Sequence, residues 1–323
     1  MKQFRISWAI VATLLGGGCS DPRCNLVGAG ERINPGFQTT SLLGRRLYAR
    51  SQGDDFSKHE AQLADAEARL AESPDDPERI VWMGRRLGYV WRMQEAIGVF
   101  SRGIEAHPEF APLYRHRGHR YISLRQFGSA ITDLEKAAML IEGGPDTIEQ
   151  DGMPNERNIP LTTTGFNVWY HLALARYLTG DFEGALDGYR KTMEYTRGFD
   201  DNVVAVSDWM YMTLRRMGRD DEATAVLERI TPEMEIIEND AYHRRLLMYK
   251  GEIEPGELLN LEEATELDIA TLGYGLGNWY LCNGDEARAS KVFERVLSGP
   301  YWPAFGFVAA EVDLAGLRAE PEN

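Results

Sequence analysis

Positive charge is scarce in this chain, and the scarcity limits the partners that the protein can bind. Its 323 residues include 35 Lys and Arg against 50 Asp and Glu, a formal net charge of −15. Nucleic-acid binding needs a positive field along the phosphates. The composition therefore argues against general nucleic-acid binding. It still allows a local basic patch within an acidic surface.

Cysteines and catalytic motifs are scarce as well. Cys19, Cys24 and Cys282 have spacings that suit neither a zinc site nor a disulfide scaffold. The chain contains no G-x-S-x-G, no G-x-x-x-x-G-K-[ST] and no H-E-x-x-H motif. We therefore expect no enzyme activity, no catalytic residues, no metal and no cofactor.

The first 18 residues differ in composition from the rest of the chain. Lys2 and Arg5 stand at the start of an apolar segment, residues 6–15, that is too short to span a bilayer as a resident helix. Three glycines then precede Cys19. This is the layout of a secretory signal peptide with a cleavage zone of small residues.

A Cys directly after small residues resembles a bacterial lipoprotein signal, although Gly16 stands where that family usually carries Leu. The resemblance implies that Cys19 is lipidated and becomes the mature N-terminus. Ser20 follows it, which by the same resemblance favours an outer-membrane-anchored, periplasm-facing lipoprotein of the cell envelope. The alternative is ordinary secretion with cleavage near Gly18, which gives a soluble secreted or periplasmic protein whose Cys19 and Cys24 are free to pair.

Small and bulky residues recur at fixed offsets along the rest of the chain. One position of the repeating unit is small: Gly84, Gly118, Ala173 and Gly277. Alanine follows at a constant offset: Ala96, Ala130, Ala185, Ala223 and Ala289. A bulky residue comes next: Phe100, Leu134, Tyr189, Leu227 and Phe293. This spacing resembles the tetratricopeptide repeat (TPR), whose period is about 34 residues.

The resemblance implies an all-α fold, a TPR-like α-solenoid of antiparallel helical hairpins with a C-terminal capping helix. The predicted domains are a signal peptide over 1–18, a flexible tether over 19–55 and a TPR solenoid over 56–318. Within the solenoid we expect full repeats near 77–110, 111–144, 166–199, 204–237 and 270–303, a degenerate repeat over 238–269 and a cap over 304–318.

Two segments leave alternatives open. In the tether, Leu42-Leu43 and Leu47-Tyr48 are apolar enough to dock onto either the solenoid or a partner. An insertion over 143–165 has no helical period, and it fits a packed structural insertion and a binding loop equally well.

In TPR proteins one face of each first helix lines a concave groove. Carried onto this chain, those positions give a predicted partner-binding groove: Arg85, Arg115, His119, Asn167, Tyr170, Tyr177, Tyr274 and Asn278. Its cationic N-terminal half suits a protein or peptide with acidic or C-terminal carboxylate groups, because Arg pairs well with carboxylates. The alternative is that these Arg residues pair with Glu and Asp on adjacent helices.

His116 and His119 lie three residues apart, a spacing found in metal sites. The neighbouring arginines would repel a cation, so we interpret both as groove histidines.

The function that the resemblance implies is a non-enzymatic protein–protein interaction scaffold or adaptor in the bacterial cell envelope. One alternative is a subunit of an envelope assembly machine, acting on outer-membrane proteins, a secretin or peptidoglycan. Another is a small-acid or sugar binder, or an enzyme, that uses Arg85, Arg115 and His119 with the insertion as a lid.

Lipidation at Cys19 predicts that membrane association depends on this one side chain. Wild-type protein should incorporate labelled palmitate and fractionate with membranes, and the Cys19→Ala protein should do neither. Cys24→Ala is the matched control and should behave like the wild type. Membrane fractionation of Cys19→Ala, together with no palmitate uptake by the wild type, would refute the anchor.

Overall fold

The computed structural model describes residues 36–51, 55–259 and 264–319, all of them within one unit, Gly36–Asn323. The predicted signal peptide, Cys19, Cys24 and the rest of 19–35 lie outside the described residues. No helix in the described part is both long enough and apolar enough to cross a bilayer.

Stacked helical hairpins make up most of the described chain and confirm the predicted all-α solenoid. A first helix, α1 (Phe56–Glu72), precedes them. The hairpins are α2 (Pro77–Tyr89) with α3 (Met93–Ala106), α4 (Ala111–Ser123) with α5 (Phe127–Ile141), α6 (Thr164–Leu178) with α7 (Phe182–Met193), α8 (Asp200–Arg216) with α9 (Asp220–Leu227), and α11 (Glu266–Cys282) with α12 (Glu286–Ser298). Between the last two hairpins lies α10 (Asp240–Lys250), and α13 (Phe305–Ala319) follows them.

Hairpins pack tightly where a glycine of the first helix meets a bulky side chain of the second. A Cβ atom on Gly84 would lie 2.3 Å from the Phe100 ring, and one on Gly277 would lie 2.4 Å from the Phe293 ring. Both distances are far shorter than a carbon–carbon contact. The helices therefore approach this closely only because the position is glycine, as the repeat spacing predicts.

The segment predicted as a degenerate repeat, 238–269, departs from the hairpin pattern. Residues 251–259 form turns instead of a second helix, and Leu258 is buried in the core. A left-handed Gly251, with φ 87°, ends α10. The next helix, α11, begins at Glu266 rather than near 270.

Residues 36–51 correct the prediction of a flexible tether over 19–55. Two short strands, β1 (Phe37–Thr40) and β2 (Arg46–Tyr48), pair antiparallel. Leu47 is 1% exposed and joins the helical core, and Trp302 Nε1 donates to the Tyr48 carbonyl at 2.9 Å. Of the two sites on which Leu47 might dock, the structure selects the solenoid. The composition is that of a linker, but one buried leucine and backbone pairing hold the segment in place.

The turn inside each hairpin contains a residue with left-handed backbone. In later hairpins that residue is glycine: Gly180, Gly218 and Gly284. In the first two it is Trp91 (φ 59°) and Arg125 (φ 63°). A side chain in this conformation costs about 1–2 kcal/mol. Contacts made by Trp91 and Arg125 offset that cost.

These contacts join the last helix to the first two repeats. Arg125 Nε lies 2.6 Å from Glu311 Oε2, and the two side chains are 3% and 2% exposed. Arg125 Nη2 also donates to the Trp302 carbonyl at 3.1 Å, and the Trp91 and Trp302 rings are 5.8 Å apart. The predicted capping helix α13 packs on α11 and α12 and also reaches the other end of the repeat array.

The packing inside the hairpins predicts opposite effects for two glycine substitutions. Gly84→Ala should lower the free energy of unfolding by about 1–3 kcal/mol, because the added methyl overlaps the Phe100 ring. Gly128→Ala in α5, where a Cβ meets nothing within 4 Å, should raise it by about 0.5–1 kcal/mol. Urea denaturation measures both. A Gly84→Ala protein as stable as wild type would contradict this account of the hairpins.

Candidate functional site

The first helices of three hairpins surround a cavity of about 340 Å³. Its wall is completed by residues 142–163, between α5 and α6, which we call the crossing loop. The residues that line it are Arg85 and Tyr89 of α2, Arg115, His116, His119 and Arg120 of α4, Phe166, Asn167, Tyr170 and His171 of α6, Glu149, Asp151, Gly152, Met153 and Thr162 of the crossing loop, Asn202 and Ala205 of α8, Glu238 and Asn239 before α10, Tyr242 of α10, and Phe305 of α13.

One end of the crossing loop is held by α2. Arg85 Nη2 donates to the Gln150 carbonyl at 2.7 Å, and Arg86 Nη1 donates to the Gly152 carbonyl at 2.8 Å. A Cβ on Gly152 would lie 1.9 Å from the Tyr89 hydroxyl, so only glycine lets the loop approach the helix here. The insertion is thus a packed segment that also forms a wall of the cavity.

The other side of the rim is built on a buried carboxylate. Asp201, at the start of α8, is fully buried and accepts the backbone N–H groups of 237–239 at 2.8–2.9 Å. These bonds hold Glu238 at the rim, where its Oε2 accepts from Asn155 Nδ2 of the crossing loop at 3.1 Å.

The floor of the cavity contains an ion pair. Arg115 Nη2 lies 2.9 Å from Glu149 Oε1, with the two side chains 7% and 13% exposed. Arg115 Nη1 lies 2.8 Å from His116 Nδ1. Because an arginine only donates, His116 Nδ1 accepts and its proton lies on Nε2. Arg115 therefore pairs with an acid, as the alternative interpretation held, but the acid belongs to the crossing loop.

Two further histidines lie side by side on the floor. The rings of His119 and His171 have centroids 4.5 Å apart, and Phe305 of α13 packs 5.1 Å from His119. His171 Nδ1 donates to the Asn167 carbonyl at 2.5 Å. His119 Nδ1 is buried and has no hydrogen-bond partner among the described residues. A buried polar atom without a partner costs free energy of folding.

Burial determines the charge of the floor. It lowers the pKa of His116, His119 and His171 well below the usual range, and the neighbouring arginines lower it further, so all three are neutral near pH 7. Burial also lowers the pKa of Arg120 to about 10, helped by Arg115 and Arg85. Arginine stays protonated at neutral pH even so, and the floor is cationic.

Arg120 is a half-buried cation that is poorly compensated. Its Nη1 lies 3.7 Å from the Met93 sulfur, and no carboxylate pairs with it among the described residues. A Cβ on Gly88 would lie 2.2 Å from this Nη1, so α2 accommodates the guanidinium with a glycine. A buried cation without an anion is unfavourable, and a bound anion would relieve the cost.

The rim has the opposite charge. Asp151 is half-buried and Glu238 is exposed, and neither forms an ion pair with a described Arg, Lys or His. Burial raises the pKa of Asp151, and the nearby Glu149 raises it further while Arg85 lowers it.

The eight predicted groove residues are found in two places. Arg85, Arg115, His119, Asn167 and Tyr170 line the cavity. Their role in binding stays a prediction.

The other three groove residues, Tyr177, Tyr274 and Asn278, lie inside the protein at 4%, 0% and 2% exposure. Tyr177 and Tyr274 share a hydroxyl–hydroxyl bond of 2.8 Å, and Asn278 Nδ2 donates to the Tyr177 hydroxyl at 3.0 Å. The Tyr274 hydroxyl donates to Asp313 of α13 at 3.1 Å. These three residues do not line an open groove, because α13 covers the C-terminal half of the predicted groove.

Sequence reasoning missed several residues of the cavity. Arg120 is in the basic run 115–120 but is not at a groove position. Glu149 and Asp151 belong to the insertion that fitted a binding loop, although neither residue was singled out. His171 and Glu238 gave no signal. For metal binding, no group of three or more His, Cys, Asp or Glu in the described part of the chain is placed to hold an ion.

Comparison with known proteins shows only distant likeness. No family model and no curated protein matches the chain. YrrB, a TPR protein whose structure is described as having an unusual peptide-binding site, is 15% identical over 72% of this chain and 91% of its own, with a TM-score of 0.40. MamA is 15% identical over 64% and 89%, at 0.41. A TPR protein from Parabacteroides merdae is 15% identical over 82% and 100%, at 0.45. Likeness this weak carries no argument about what the present chain binds.

The buried histidines predict a loss of stability in acid. Their pKa values are lowered in the folded protein, so below about pH 6.5 the unfolded chain binds more protons and the free energy of unfolding falls with pH. A histidine that stays neutral accounts for a loss of up to about 2 kcal/mol by about pH 5.

Urea denaturation at about pH 6.5 and at about pH 5 tests the prediction. His119→Gln should weaken the pH dependence of the free energy of unfolding relative to the wild type. Equal pH dependence in His119→Gln and wild type would contradict the assignment of a buried neutral histidine.

Proposed function

We propose that this protein is a non-enzymatic binding scaffold that takes the C-terminal carboxylate of a partner protein into the cavity. The observation that carries the proposal is the floor itself. There the Arg120 guanidinium has no carboxylate partner among the described residues. Charge-assisted bonds from arginine to a carboxylate are among the strongest available to a protein.

The size of the cavity supports the end of a chain rather than a continuous segment. A volume of about 340 Å³ lies at the low end of ligand pockets. An α-helix with side chains is about 10–12 Å across and would not enter it. Phe305 of α13 and the crossing loop bound the cavity and leave room for only a few residues.

The location belongs to the same proposal. A signal-like segment ending at Cys19 supports a lipid-anchored protein of the bacterial envelope, facing the periplasm from the outer membrane. In that setting the scaffold holds its partner near the membrane, either as a free adaptor or within an assembly machine. Stable co-purification with one large complex would favour the machine.

A second candidate function is favoured by the position of the crossing loop beside the cavity. The crossing loop is held by hydrogen bonds to α2 and to the segment before α10, like a lid over a bound small molecule. A small organic acid would satisfy the same floor. Thermal-shift measurements with millimolar organic acids and sugars test this candidate, which stabilisation by a free acid but not by a peptide would support.

Photo-crosslinking from the rim tests the peptide function. A photoreactive phenylalanine analogue replaces Met153, which is 55% exposed beside the cavity, and the control replaces Met139, which is 59% exposed outside it. We expect position 153, and not 139, to crosslink to the C-terminal peptide of a partner, located by mass spectrometry.

The same experiment with Arg120→Met separates binding from folding. Loss of a charge-assisted bond should lower the crosslinking yield about tenfold or more. The melting temperature should hold or rise, because the variant removes a half-buried cation that is poorly compensated. Crosslinks to internal peptides only, or an unchanged yield in Arg120→Met, would refute the proposed function.

A further inference from the structure

We propose that the segment bound in the cavity is a basic tail, with a Lys or Arg one or two residues before its C-terminal carboxylate. This deepens the proposed function and rests on it. The observation behind it is the pairing of a buried cationic floor with an acidic rim in a single cavity.

The rim carboxylates are separate from the ion pair on the floor. Glu149 is engaged by Arg115. Asp151 and Glu238 remain, and they line the same cavity from different segments, the crossing loop and the segment before α10, which Asn155 of the loop links by a bond to Glu238. Each segment is fixed by its own hydrogen bonds. Asp151 precedes Gly152, whose carbonyl accepts from Arg86. The backbone N–H of Glu238 donates to the Asp201 carboxylate.

A cationic side chain fits between these carboxylates better than a metal ion does. In the described chain no third His, Cys, Asp or Glu joins them in a metal-binding arrangement. An ammonium or guanidinium group needs only one or two acceptors at an open rim, and it tolerates partial hydration. Asp151 and Glu238 supply carboxylate acceptors that no described cation engages.

The dimensions set the spacing within the tail. A sphere of about 340 Å³ is about 9 Å across. An extended chain advances about 3.3–3.6 Å per residue. With the terminal carboxylate at Arg120, the side chains that reach the rim belong to residues one or two before the last.

The field of the whole protein points the same way. A net charge of −15 repels an acidic partner and attracts a cationic one during approach. The expectation of an acidic partner follows from the groove arginines alone. A tail with upstream positive charge and one terminal carboxylate is complementary in charge to the acidic surface, the acidic rim and the cationic floor.

Peptide pools test the inference directly. Short synthetic peptides with randomised upstream positions carry Lys, Gln or Glu at the second- and third-last positions. Each pool is made with a free carboxylate or an amide at the end. The full-length protein, immobilised, retains peptides that mass spectrometry counts. We expect the free-acid Lys pool to be retained about fivefold more than the Gln pool, and the Glu pool least.

Matched variants assign the preference to the rim. Asp151→Asn with Glu238→Gln should abolish the preference for Lys over Gln while free acids still exceed amides. Asp221→Asn with Glu105→Gln, two exposed acids away from the cavity, should keep both preferences. Equal retention of free-acid Lys and Gln pools overturns the basic tail and leaves the proposed function standing. Equal retention of free acids and amides overturns both.

Discussion

The cavity depends on the buried ion pair between Arg125 and Glu311. Breaking such a pair leaves an uncompensated charge out of water and costs about 3–5 kcal/mol. The pair fixes α13 against the turn after α4, and the same approach places Phe305 beside the rings of His119 and His171. The C-terminal half of the groove is filled in consequence. The cavity between α2, α4, α6 and the crossing loop is bounded by Phe305, so the last helix shapes this binding space together with the repeats.

The sequence predicted the hairpins well because the contacts that build them are local. Gly84 and Phe100 belong to one hairpin, and their spacing recurs in the other repeats. The ion pair that holds α13 against the first repeats joins Arg125 and Glu311, which are 186 residues apart, and no periodic pattern encodes it. The strands of 36–51 were missed for a related reason. Their composition is that of a linker, and only the docking of Leu47 into a distant core orders them.

The candidate site was predictable only where the repeat geometry alone decides which way a side chain faces. Arg85, Arg115 and Tyr170 meet that condition. Tyr274 does not, because Asp313 of α13 covers it. The sequence also could not show which cations lack partners. The chain has 50 acidic residues, yet none of the described ones pairs with the half-buried Arg120. Such an unpaired cation lowers the stability of the fold, and sites that trade stability for function are typical of binding sites.

The joined ends change how this repeat protein should unfold. In an open array each repeat touches only its neighbours, so terminal repeats fray first and stability adds up along the chain. Here the strands of 36–51, Trp91 and Trp302 connect the first repeats to the last, and loosening either end disturbs both. We expect one cooperative transition in place of stepwise fraying. Closure must also wait for residues far apart in the chain to meet, so the protein should fold more slowly than a linear array of the same helices.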